Sequence, residues 1–212
     1  MRILCLCLLS ALVGLAQDLW YSVPAVSRGR NDAYLVGAAV NAIAVRGTKE
    51  SKARVIVSFA PRWGTIKIGV RIEGLSEIIP EEDLWPYTGP DLGREALNPR
   101  MMQIAVFSTQ GEAHFNSRMI MSAGGNFPTG VADKTELLFS TNTAMDKRFK
   151  AFLKRMSAGF DHGVVRIGQG VFSPPIEVKF RGESSGVKLK PLIESAEAFK
   201  AAGSSANHQR GK

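Results

Sequence analysis

Three histidines, His114, His162 and His208, are the only imidazoles in the chain and bound its acid–base chemistry at neutral pH. His208 lies near the C-terminus, His114 falls beside a turn, and His162 follows Asp161. An exported hydrolase acting on an envelope polymer would use His114 or His162 as general base. It would orient that base with Asp133 or Asp161 and attack with a serine such as Ser117 or Ser122. No Gly-x-Ser-x-Gly elbow supports this, because Ser122-Ala123-Gly124-Gly125 carries its glycines on the wrong side. Metal chemistry has less to work with. The two cysteines are Cys5 and Cys7, there is no His-x-x-x-His, and no acidic set has calcium-loop spacing. Gly124-Gly125 and Gly168-x-Gly170 lack the strand-to-helix context of a phosphate loop and read as turns or bulges. No catalytic residue, metal or cofactor follows from these spacings.

Binding has better candidates. In residues 146–157, Phe149, Phe152, Leu153 and Met156 recur at i, i+3, i+4 and i+7, with Lys147, Arg148, Lys150, Lys154 and Arg155 on the other side. That pattern predicts an amphipathic helix, started by Asp146 and stopped by Gly159, whose basic face suits an anionic polymer, an acidic protein or peripheral contact with an anionic membrane. Its apolar stripe has the width of a helix docked on its own sheet. Lys147, Lys150, Lys154 and Arg155, joined by Arg166 from the next strand, form the expected contact set. Trp85 and Tyr87, in Asp83-Leu84-Trp85-Pro86-Tyr87, are the alternative: aromatics on a proline-stiffened loop suit recognition of a sugar or protein. Trp85 is equally suited to pinning that loop to the core. Met101, Met102, Met119, Met121 and Met156 read as core filling before they read as a pocket. Nucleic acid is not expected, since no aromatics interleave the basic residues on a sheet face.

The charge distribution sharpens this. The formal net charge is +8, and it is uneven. Residues 76–95 hold Glu77, Glu81, Glu82, Asp83, Asp91 and Glu95 against Arg94 alone. Residues 146–190 hold ten Lys and Arg against four acids, nearly the whole excess. A basic exported protein meets anionic partners readily, and the same charge also keeps it soluble.

The address is written in the first sixteen residues. Arg2 is a short basic n-region, residues 3–15 are an apolar run too short to span a membrane, and Gly14-Leu15-Ala16 offers small residues for cleavage. Residues 1–16 therefore read as a cleaved signal peptide, with the mature chain starting near Gln17 and the protein periplasmic or secreted. Both cysteines leave with the signal. Stability must then come from burial alone, which suits a bacterial periplasmic protein better than a small eukaryotic secreted one.

Period-two alternation dominates the mature chain. Ile66, Ile68, Val70 and Ile72 share one face, and Val55, Val57 and Phe59 share another just upstream, with a hairpin at Pro61-Arg62-Trp63-Gly64. Further hairpins are expected over 102–121, turning at Thr109-Gln110-Gly111-Glu112, and over 164–181, with one more strand at Leu137 and Phe139. Residues 32–46 run apolar and small almost without break, so a buried strand and a packed helix both fit, with a tilt towards strand. Residues 73–100, with four prolines, read as a long loop. A second helix is expected from Pro191 to Gly203. Together these predict a mainly β fold: an antiparallel β-sandwich with two amphipathic α-helices in the C-terminal half. One domain fills 17–203, and 204–212 form a polar, disordered tail.

The order in the last third is a helix with Phe149 and Leu153, a strand over 164–167, a strand over 176–180, Gly182, then Leu189-Lys190-Pro191-Leu192 opening a helix. Over about residues 135–200 this resembles the invasion-associated locus B proteins and the type VI secretion accessory proteins of the periplasm. Those families usually carry cysteines in the mature domain, which this chain lacks. The resemblance implies a compact β-sandwich with a non-enzymatic accessory or binding role, and it transfers no catalytic residue. The partner expected is an envelope protein or an anionic envelope polymer.

Overall fold

The structure is a computed structural model that describes residues 19–26, 35–60, 65–73, 78, 96–123, 136–142, 147–168 and 174–209. The expected signal peptide, the acidic loop with Trp85 and Tyr87, Asp133, Asp146 and the tail's last three residues lie outside the described residues.

Where the sequence alternates, the backbone is extended. The strands are β1 (Tyr21–Val26), β2 (Leu35–Arg46), β3 (Lys49–Ala60), β4 (Thr65–Glu73), β5 (Ala96–Ser108), β6 (Gly111–Ala123), β7 (Glu136–Asn142), β8 (His162–Ile167) and β9 (Ile176–Arg181). Two helices, α1 (Lys147–Ser157) and α2 (Ser185–Gln209), follow β7 and β9. All neighbours are antiparallel, in the order β1-β2-β3-β4-β7-β6-β5-β8-β9. The fold is thus mainly antiparallel β with two helices. The strands form one curled sheet, a half-barrel, where two facing sheets were expected. The cause lies in pairings between distant segments. β4 pairs with β7, β5 with β8, and the sheet curls far enough for β9 to reach β2 through Ala42↔Phe180 and Ala44↔Val178.

β2 resolves the ambiguity over 32–46 in favour of strand. It pairs with β3 from Val36↔Phe59 to Arg46↔Lys49, and its other edge is shared by β1 and β9. At 37–40 the strand is covered on both faces and needs no polar alternation, so Ala38, Ala39 and Val40 are all buried; further along, Asn41 and Ile43 are exposed.

The inner face of the sheet carries Val55, Val57, Ile66, Ile68, Val70, Met102, Ile104, Val165 and Val178, all buried in one cluster. The helices pack on each other and on that face, α1 against β6 and α2 against β2, β3 and β4. Phe149, Phe152, Leu153 and Met156 of α1 and Leu189, Leu192, Ile193 and Ala196 of α2 complete the cluster. Burying a side chain of this kind stabilises by about 1.5–3 kcal/mol. α1 stops at Gly159, whose φ of 97° suits a residue without Cβ.

α2 begins six residues before the expected start at Pro191. Ser185 N–H donates to the Gly182 carbonyl and Lys188 N–H to that of Ser184, which sets the first turn. Starting there lets Leu189 join the core. The proline then leaves only the Val187 carbonyl without its helical donor, on a residue 73% exposed to water. At the far end the helix continues through Gly203 to Gln209, into the stretch expected to be a disordered tail; Ala201, Ala202 and Ala206 favour helix there.

Candidate functional site

The most site-like feature is an open groove of about 620 Å³ between β6 and α1, lined by residues 113–116 of the strand and by Arg148, Ala151, Phe152 and Arg155 of the helix. Its floor follows from packing. Phe115 points inward from β6 and meets Phe149 at 4.7 Å and Phe152 at 5.6 Å between ring centroids, which docks α1 beside the strand. Its basic wall follows from helical spacing, because residues 148, 151, 152 and 155 are related by i, i+3, i+4 and i+7 and share a side of α1. Arg155 is held in place. Its Nη1 donates to Gln110 Oε1 at 2.9 Å and its Nη2 to the Gln110 carbonyl at 2.7 Å, clamping the helix to the β5–β6 turn. Arg148 has no hydrogen bond or ion pair with any described residue.

The lysines of the expected contact set occupy the rest of the exposed side of α1. Lys147 and Lys154 are exposed, Lys150 is half-buried, and none pairs with a described acid. Arg155 sits on the flank of that surface with its guanidinium engaged. Arg166 does not join them. It projects from the outer face of β8, opposite the face that α1 covers, and its Nε donates to Glu177 Oε1 at 2.9 Å across the β8–β9 pair. An alternating strand sends Arg166 away from Val165 and Ile167, which face the core. Trp85 and Tyr87 lie outside the described residues.

His114 and His162 sit together on the outer face, one on each side of β5. Phe107 stacks on His162 at 4.8 Å and meets His114 edge-on at 6.3 Å, while His114 Nε2 lies 3.0 Å from Glu112 Oε1. Ser117 is buried on the inner face, three residues and one change of face from His114, so the two do not form a nucleophile–base pair. Among the described residues no three His, Cys, Asp or Glu side chains converge as a metal site would need. Among the same residues no helix is long and apolar enough to cross a membrane.

Two features escaped the sequence reading. The Arg148/Arg155 pair was folded into a general basic face, although its seven-residue spacing across Ala151 and Phe152 marks a second stripe. The other is Trp20, 2% exposed, whose indole N–H donates to the Arg181 carbonyl at 3.1 Å. Comparison with known protein families, curated proteins and solved structures finds no match.

Proposed function

We propose that the chain is an exported, non-enzymatic binding protein of the bacterial envelope that holds an anionic partner, a protein or an envelope polymer, on the basic surface of α1. The observation that carries this reading is the division of labour in that helix. Every large apolar residue of α1 is buried in the core, while Lys147, Lys150 and Lys154 are left without a described acidic partner. The first turn holds Lys147 and Arg148 and no acid, and cations there oppose the helix dipole at about 0.3–1 kcal/mol each. Charges placed against local stability point to a use outside the helix. With no large apolar residue of α1 left over, contact is at a surface and not by insertion.

The test is retention on vesicles of phosphatidylglycerol and on immobilised polyglutamate across a salt series. Retention is expected at low ionic strength and should fall as the Debye length shrinks from about 30 Å at 0.01 M to about 8 Å at 0.15 M. Changing Lys147, Lys150 and Lys154 together to glutamate should abolish it. No retention at the lowest salt, or retention that survives the triple change, overturns the reading.

A further inference from the structure

We propose that the groove between β6 and α1 accepts an extended acidic peptide from a partner protein, which adds to the sheet as a strand alongside residues 112–116. This rests on the surface reading above and specifies the partner's chemistry.

The backbone makes the first argument. On one side β6 pairs with β5 throughout, from Ser108↔Gly111 to Met102↔Ser117 and beyond; on the other it pairs with β7 only from Arg118↔Asn142 to Ala123↔Leu137. Along 112–117 no described strand occupies that second side. Its polar groups can be located. Asp161 N–H donates to the Phe107 carbonyl at 2.8 Å, so the main-chain groups of Phe107 point towards β8 and not towards β6. The Phe107↔Glu112 pair is therefore the wide, unbonded kind, and by alternation Glu112, His114 and Asn116 turn their N–H and C=O groups away from β5, to the groove side. Three donors and three acceptors lie there, spaced about 6.8 Å apart.

The walls choose the occupant. Arg148 and Arg155 stand two helical turns apart, about 10.5 Å along the axis, with Ala151 and Phe152 between them. Carboxylates on the side of an extended peptide that faces α1 can meet both guanidiniums, while its alternate side chains point to the outer face, away from the helix. Arg155 is already fixed by Gln110, so little ordering is needed when a ligand arrives. The acid on the strand itself, Glu112, lies against His114. A second copy of this chain is a poor occupant, because pairing two β6 edges brings two basic α1 helices together.

The probe is a fluorescein-labelled octapeptide of alternating valine and glutamate, compared by anisotropy with an acrylate oligomer of equal charge and no amide backbone. The peptide is expected to bind about tenfold more tightly, the factor that one or two hydrogen bonds supply. Asn116→Pro removes one groove-side N–H and should erase that advantage; Arg148→Glu should weaken peptide binding. Amide hydrogen exchange is the second readout. Glu112, His114 and Asn116 should exchange fast in the free chain, Ala113 and Phe115 slowly, and the peptide should slow the first three. Equal binding of peptide and oligomer, with Asn116→Pro changing neither, overturns strand addition and leaves the surface reading standing. Failure of both probes at low salt overturns both. Slow exchange at 112, 114 and 116 in the free chain overturns the proposal too: if lost on dilution the occupant is a second copy, if kept it is the chain itself.

Discussion

Replacing Trp20 should cost more than any single change on the surface of the protein. β2 shares one edge between two partners, β1 through Tyr21↔Ala39 and β9 through Ala42↔Phe180, and Trp20 sits at that fork. It is 2% exposed, meets Phe160 and Phe180 edge-on with ring centroids 6.3 Å away in each case, and donates its indole N–H to the Arg181 carbonyl. Truncating a buried aromatic to alanine costs about 3–5 kcal/mol. Trp20→Phe keeps most of the ring contact but removes the indole hydrogen bond to the Arg181 carbonyl, about 1–2 kcal/mol. With a urea slope of about 2 kcal/mol/M, the midpoint should fall by about 1.5–2.5 M for alanine and about 0.5–1 M for phenylalanine. A chain beginning at Gln17, the expected mature terminus, should match the full-length midpoint, whereas one beginning at Tyr21 should behave like Trp20→Ala. A shift for Trp20→Ala below about 0.3 M, within the error of such measurements, would refute the claim that this residue closes the fork.

Three further outcomes rest on contacts elsewhere. A Cβ on Gly182 would collide with the Phe160 carbonyl oxygen, so Gly182→Ala should destabilise by about 3 kcal/mol or more, read by thermal melting. Gly186→Ala, in α2, gains helix propensity but sets its Cβ 3.1 Å from the Ser157 carbonyl oxygen, so the two effects oppose and the net change should stay within about 1 kcal/mol. Arg155→Ala should cost only about 1 kcal/mol, since the guanidinium is half-exposed, yet should speed amide exchange in the 109–110 turn.

The strands were legible because alternation reports which residues face inward. Ile66, Ile68, Val70 and Ile72 announce β4, and the turn at Thr109-Gln110 joins β5 to β6 where expected. Alternation is silent about neighbours. Nothing in residues 42–45 says that 177–180 will lie beside them, so the half-barrel could not be told from a sandwich. The position of α1 was readable for the same reason as the strands, since one apolar stripe has one place to go. The start of α2 was not, because Pro191 is a common helix opener and only the turn at Gly182 places the opening earlier. That the lysines of α1 lie on its solvent side was legible from type and spacing. Arg166 was grouped with them by sequence proximity, although strand parity alone puts it on the face opposite Val165.

The groove and its basic wall have one origin in the topology. β7 accompanies β6 only to the pair Arg118↔Asn142, and α1 begins at Lys147. The same course of the chain that leaves residues 112–116 without a second described strand beside them sets a helix rich in Lys and Arg next to them. A bare strand edge invites unwanted pairing, and proteins blunt such edges with charge. Here the charge stands on the adjacent helix and not on the strand, where Glu112 is set against His114. An edge guarded in this way repels a second copy of itself, which brings five more cations on α1, but attracts an extended segment of opposite sign. On the strand-addition proposal, a guard of one sign would do two things at once: disfavour pairing of two copies through β6, and select what can complete the strand.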